Sequence, residues 1–251
     1  MRGPPGIGFL LAFLLLALAM QAFPRDFLPG LGEDIQELFS DRSLAVIGVG
    51  IPCTAAAFML EDPEGSPGLL GDGALDDAAT ICHHAMGLPL LGGSAALWGV
   101  GALGGSPNAE TTGRMLTEGL ILTYGVTGIL KLGAGRERPD GSNFRSFPSA
   151  HSSGSACAAV IMWDRHGPWA GLPLAALAAF TAVSRVHMGR HYPSDVIAGV
   201  SIGLAAGLAV VEAWEDEVSS DEIQPAMGFR SAMGVRWSSS AGFGVYLPYE
   251  E

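Results

Sequence analysis

Six apolar stretches restrict the fold of this chain more than any other feature. They cover residues 44–60, 85–103, 115–132, 151–163, 169–183 and 196–214, and most are 15 to 20 residues long. They are rich in Ala, Gly and Leu and lack the two-residue alternation of strands, so they read as helices. That length approaches what a helix needs to cross a bilayer core. Small residues also let helices approach closely, in a membrane or in a tightly packed soluble bundle. Only 15% of the 251 residues are charged, against roughly 25% in an ordinary soluble domain. This hydrophobicity excludes a disordered chain, and the 36 glycines show no collagen-like period. The expectation is an all-α bundle of about six helices, membrane-associated.

The flanks differ in character. Arg2 precedes an uncharged run through residue 22 with small residues at Ala17, Ala19 and Ala22, the pattern of a signal peptide; an uncleaved anchor is the other reading. Either one addresses the protein to the cell envelope. Residues 23–42 form a short acidic segment, 43–214 hold the helical domain, and 215–251 form a tail. In that tail Val235 and Trp237, then Phe243 and Val245, alternate around a serine run, which predicts a short β-hairpin. Residues 61–77 read as a loop, being acidic and rich in Gly and Pro. If residue 23 lies outside and every stretch spans, the loop before His151 falls in the cytoplasm, so either one stretch does not span or the bundle lies outside the inner membrane. Cys53, Cys82 and Cys157 are too few for a disulfide framework and read as buried thiols.

The net charge of -12 argues against a nucleic-acid partner. The 13 basic residues are nonetheless clustered: Lys131 (the only lysine), Arg136, Arg138 and Arg145 in one loop region, Arg185 and Arg190 in another. Arginine's planar fork suits phosphate, although a membrane-flanking cluster would read the same way on charge alone. The histidines decide between them. His151 and His191 each adjoin a basic loop, and Asp195 follows His191 by four.

Together these residues form three elements: KLGAGRERP from Lys131, PSAH from Pro148, and SRVHMGRHYPSD from Ser184. Their spacing and order resemble the type 2 phosphatidic acid phosphatase (PAP2) superfamily, which includes bacterial acid phosphatases and vanadium haloperoxidases. The one departure is Ala150 where that family has Gly. The resemblance covers residues 116–214 and implies a metal-independent phosphatase without cofactor, acting on a phosphorylated lipid or another phosphate ester. It implies His191 as the nucleophile forming a phosphohistidine, Asp195 as its orienting carboxylate, and His151 as the acid toward the leaving group. Lys131, Arg138, Ser149, Ala150 and Arg185 would hold the phosphate. Ser149 also reads as the N-cap of the helix after it, whose first amides would face the anion.

Three other readings remain. A soluble periplasmic acid phosphatase would share these motifs. A scaffold binding anionic headgroups would need the basic loops but not His191. His187, His191 and Asp195, spaced by four, could ligate a metal on an unbroken helix, but Pro193 breaks that ladder and predicts a helix from about Asp195 capped by Ser194. His83 and His84 read as solvated or packing residues at a helix start, and Arg136, Arg145 and Arg190 as contributors to the local field. The active site is expected on the extracytoplasmic face.

Overall fold

The computed structural model describes residues 27–62, 67–71, 73–220, 235–238 and 242–245. The predicted signal peptide or anchor lies outside them. Among the described residues there are eight helices: α1 (Phe27–Glu37), α2 (Asp41–Leu60), α3 (Ala74–Ala85), α4 (Leu88–Gly104), α5 (Pro107–Ala134), α6 (Ala150–His166), α7 (Pro168–His187) and α8 (Pro193–Ser220). The backbones of β1 (Val235–Ser238) and β2 (Gly242–Val245) pair antiparallel, Val235 opposite Val245. The architecture is all-α with that small hairpin appended.

Two helices exceed the expected six, each for a local reason. α1 forms within the acidic segment because Phe27, Leu31 and the following Leu38 bury apolar surface; Phe27 stacks on Trp98 at 5.4 Å, and Leu31 and Leu38 pack on Leu122, Ala206 and Ala209. α3 takes up the end of the predicted 61–77 loop, starting at Ala74, and bends 58° into α4. The bend falls at Met86-Gly87, where Tyr124 donates to the Gly87 carbonyl at 3.0 Å. His83 and His84 therefore close α3 instead of starting a helix.

α6 is the central helix, packed against α5, α7 and α8, while α2 lies on α8 and α4 on α5. Met115, Leu116, Cys157, Ile161 and Val210 form the main apolar core between α5, α6 and α8. The crossing of α6 and α8 depends on glycine. A Cβ on Gly203 would lie 2.0 Å from the Ser153 carbonyl oxygen, and one on Gly199 2.5 Å from that of Ser149. Without side chains there, α8 approaches until its first turn lies against the start of α6.

Four helices (α2, α5, α7 and α8) are long and apolar enough to cross a membrane, five if the bent α3–α4 pair counts as one span. α6 falls short of that test; its buried serines 152, 153 and 155 suit a protein interior more than lipid. The apolar window of α2 is only 11% buried, and its Val49, Ile51, Phe58, Met59 and Leu60 are exposed. Cys53 shares that exposure, so of the three cysteines only Cys82 and Cys157 are the buried thiols expected. Outward-facing apolar side chains on long helices are the arrangement lipid favours.

Successive antiparallel passages give the bundle a functional end. α2, α5 and α7 finish there, and α6 and α8 begin there.

Candidate active site

The three motifs occupy the two turns that close this end. Gly135, in the left-handed region at φ 53°, caps α5 and turns the chain away from the helix axis. The loop that follows is tied by Ser146 N–H to the Arg136 carbonyl (2.9 Å) and by Arg138 N–H to the Asn143 carbonyl (3.0 Å). It ends at Ser149, which caps α6 by accepting from Ser152 N–H. The second turn, between α7 and α8, is pinned by the Arg185 carbonyl, which accepts from the amides of Arg190 and His191. Most directly, Ser149 N–H donates to the Asp195 carbonyl at 2.9 Å, so the two turns are hydrogen-bonded to each other.

Asp195 is fully buried and tightly held. Its Oδ2 accepts from Ser146 Oγ (2.5 Å) and Tyr192 N–H (2.9 Å), and its Oδ1 from Arg136 Nη1 (2.8 Å). His191 Nδ1 lies 3.5 Å from Oδ2. That distance turns Nδ1 toward the carboxylate without closing a hydrogen bond, and leaves Nε2 as the nitrogen turned elsewhere. His191 is 2% exposed. Burial, its largest cause, pushes its pKa down to about 4, with the charges of Lys131 and Arg138 adding to the fall and Asp195 opposing it. The ring is neutral at pH 7.

The opposite side of the cup is less complete. Arg185 is 0% exposed. Its Nη1 donates to His83 Nδ1 at 3.0 Å, while its Nε and Nη2 have no hydrogen-bond partner. No carboxylate pairs with it among the described residues. Arg138 Nε is likewise buried and unpartnered, and burial holds the Arg138 pKa below its ordinary value. Buried guanidinium donors without an acceptor are costly, and an anion would satisfy them. The first-turn amides of Ala150 and His151, beyond reach of any intrahelical carbonyl, open at the same N-terminus.

His151 joins this side. Its Nε2 donates to the His83 carbonyl at 3.1 Å, and its ring lies 5.4 Å from that of His83. Its pKa is pushed down to about 3, first by burial and then by Arg185. His151 is thus a neutral ring resting on a carbonyl.

Lys131 turns to the loop between the first two motifs. Its ammonium donates to the carbonyls of Arg145 (2.9 Å), Ser146 (3.3 Å) and Pro148, so all three N–H groups brace the loop that carries Ser149. Arg145 is exposed, and Arg190 pairs with Asp140 at 2.9 Å. His187 turns away from His191: its Nδ1 accepts from Leu70 N–H (3.1 Å) and its Nε2 donates to Asp76 (2.9 Å), which pins the 67–71 segment over α7. Among the described residues no group of three or more His, Cys, Asp or Glu side chains could hold a metal ion. Ser194 is not the cap expected, because α8 starts at Pro193; its N–H instead donates to Glu61 Oε2 at 3.0 Å.

Four residues at the site escaped the motif reading: Glu61, His83, Arg136 and Ser146. Arg136 lies inside the first motif, where its charge reads only as part of the local field and not as a partner of Asp195. Glu61 and His83 arrive from α2 and α3, and no local pattern marks them.

The sequence profile of the PAP2 superfamily matches residues 113–218. A decaprenylphosphoryl-5-phosphoribose phosphatase of Mycobacterium tuberculosis is 32% identical over 150 residues, which cover 55% of this chain and 82% of that one. The lipid A 1-phosphatase of Porphyromonas gingivalis is 33% identical over 105 residues, 39% of this chain and 24% of that protein; the match thus spans about a quarter of that relative. A crystal structure titled as the first transmembrane PAP2 type phosphatidylglycerolphosphate phosphatase, from Bacillus subtilis, aligns with a TM-score of 0.43 and 22% identity over 76% of this chain and 93% of that one. The chain belongs to the PAP2 superfamily.

Proposed function

We propose that this protein is a membrane phosphatase that hydrolyses the phosphate or diphosphate of a lipid through a phosphohistidine. The observation that carries the reading is Arg185: a fully buried guanidinium, two of its nitrogens unpartnered, at the end of the bundle that also carries His151 and His191. The site needs an anion to be complete, and the neutral imidazole of His191 supplies a nucleophile for its phosphorus.

In this reading Arg138, Arg185, the Ser149 hydroxyl and the amides of Ala150 and His151 bind the phosphoryl oxygens. His191 Nε2 attacks phosphorus, forming the P–N bond as the P–O bond to the leaving group breaks. Positive charge develops on the imidazole, and Asp195 facing Nδ1–H stabilises it. The incoming phosphate raises the proton affinity of His151 from its low resting value, so that His151 can protonate the leaving oxygen. Water then attacks the phosphohistidine, giving its proton to His151, and the P–N bond breaks to release phosphate and restore His191. Lys131 contributes through the loop it braces. No metal or other cofactor takes part in these steps.

The lipid substrate class is supported by the candidate spans and by the relatives, which are named for decaprenylphosphoryl-5-phosphoribose and lipid A. The candidate spans favour it over the soluble acid phosphatase. Phosphate release from short-chain phosphatidate, phosphatidylglycerophosphate, a polyprenyl diphosphate and a soluble monoester tests it: preference for the soluble monoester would overturn the lipid assignment. Full release by the His191→Ala variant would overturn the phosphatase mechanism.

We place the cup on the extracytoplasmic face. α8 runs about 42 Å away from it, so residue 220 would face the cytoplasm. A fusion reporter at that residue that works only in the cytoplasm supports this orientation, and one that works only outside overturns it.

A further inference from the structure

The motifs leave unexplained a largely buried Glu–Arg–Asp chain behind the proposed nucleophile, its arginine 20% exposed in the side chain. Arg136 follows the Gly135 turn, and its guanidinium bridges two carboxylates: Nη1 donates to Asp195 Oδ1 (2.8 Å) and Ser194 Oγ (2.7 Å), and Nη2 to Glu61 Oε1. Its planar face lies over the rings of Tyr192 (4.0 Å) and Phe58 (4.9 Å). Glu61 is 4% exposed in its side chain and uses its other oxygen on Ser194 N–H. The three groups therefore join the end of α2, the loop after α5 and the start of α8.

We propose that Glu61 and Arg136 are a positioning pair for Asp195, making α2, which lies outside the stretch matched by the family profile, part of the catalytic apparatus. This rests on the assignment of His191 and Asp195 made under Proposed function. Asp195 spends Oδ2 on Ser146 and Tyr192, and the same atom must serve His191 at 3.5 Å. Arg136 holds the other oxygen, so the carboxylate plane cannot swing away from the imidazole. Glu61 keeps Arg136 from turning outward along the exposed surface of α2, and it fixes the guanidinium by a second charged contact in a direction that one hydrogen bond leaves free. Outer hydrogen-bond partners of metal-ligating histidines and carboxylates carry about 10–100-fold in activity, and the partners of the Asp195–His191 pair are expected to follow that scale.

The test measures kcat and KM for phosphate release from short-chain phosphatidate by the detergent-solubilised full chain. Arg136→Met lowers kcat by about 10–100-fold and leaves KM within about twofold, because the phosphate contacts are untouched. Arg136→Lys falls almost as far despite keeping the charge, since one ammonium cannot span both carboxylates. Glu61→Gln still accepts from Ser194 N–H and so keeps the α8 cap, yet it too lowers kcat at constant KM. Combined with Asp195→Ala, Arg136→Met causes no further loss of kcat, because the guanidinium, though still paired with Glu61, then has no carboxylate beside His191 to orient. Wild-type kcat in Glu61→Gln, or a loss in the Asp195→Ala background as large as in wild type, would overturn the proposal; Glu61→Gln and Arg136→Lys decide it even if Arg136→Met fails to fold. An inactive His191→Ala beside a fully active Glu61→Gln refutes only the positioning pair, whereas an active His191→Ala refutes the mechanism beneath it.

Discussion

The two sides of the cup are finished to different degrees. Around Asp195 every oxygen is engaged, by Ser146, Tyr192 and Arg136, and His191 is set with Nδ1 toward the carboxylate. Around Arg185 two guanidinium nitrogens are unpartnered, Arg138 Nε is likewise bare, and His151 rests on a backbone carbonyl. Under the proposed mechanism the nucleophile is organised by the protein's own charges, whereas the proposed anion-binding side takes its counter-charge from the substrate. This division suits differential binding, because donors that no protein group satisfies are free to grip charge as it develops on the phosphoryl group.

Variants can sharpen or break that contrast. The largest expected effect is His191→Ala, which removes the attacking atom: kcat for phosphate release falls about 10³-fold or more, while inorganic phosphate still protects the protein in thermal melts. Loss of that protection would mean that the nucleophile side also binds the anion. Next is Arg185→Ala, expected to cost about 10²-fold in kcat/KM and to abolish the thermal shift given by inorganic phosphate. An unchanged shift would move the anion site elsewhere.

Proton affinity should separate the two sides as well. His191 resonances in an NMR titration of the free protein stay neutral until pH falls to about 4. Asp195→Asn should lower that pKa further, since the carboxylate raises it. Adding inorganic phosphate should move His151 upward from about 3; no movement would place the anion away from it. The smallest effect is structural. Gly203→Ala puts a methyl against the Ser153 carbonyl and should cost about 1–3 kcal/mol of stability, measured as a lower denaturation midpoint. It should slow turnover only insofar as α8 shifts Asp195 from Ser149.

Much of the fold was legible because its elements are long and uniform. Each of the six apolar stretches contains helix, and the Ser149 cap and the C-terminal hairpin fall where short-range rules put them. The bend at Gly87 and the helix α1 were not legible. The first depends on Tyr124 reaching the Gly87 carbonyl from another helix, and the second on apolar partners in α4, α5 and α8. The same boundary runs through the site. His191, His151, Asp195 and Arg185 stand in spaced motifs, whereas the carbonyls that occupy Lys131 and the turn of His187 toward Asp76 follow from loop geometry that no spacing encodes.

The order of apolar runs and the three spaced motifs, by themselves, determined a helical bundle with phosphate chemistry, because hydrophobic periodicity and residue type are local properties. Only the tertiary structure decided that Glu61 from α2 and His83 from α3 stand beside residues more than a hundred positions away. Glycines on α8 let the helices close to backbone contact, and at that range a buried charge takes whatever partner the packing delivers.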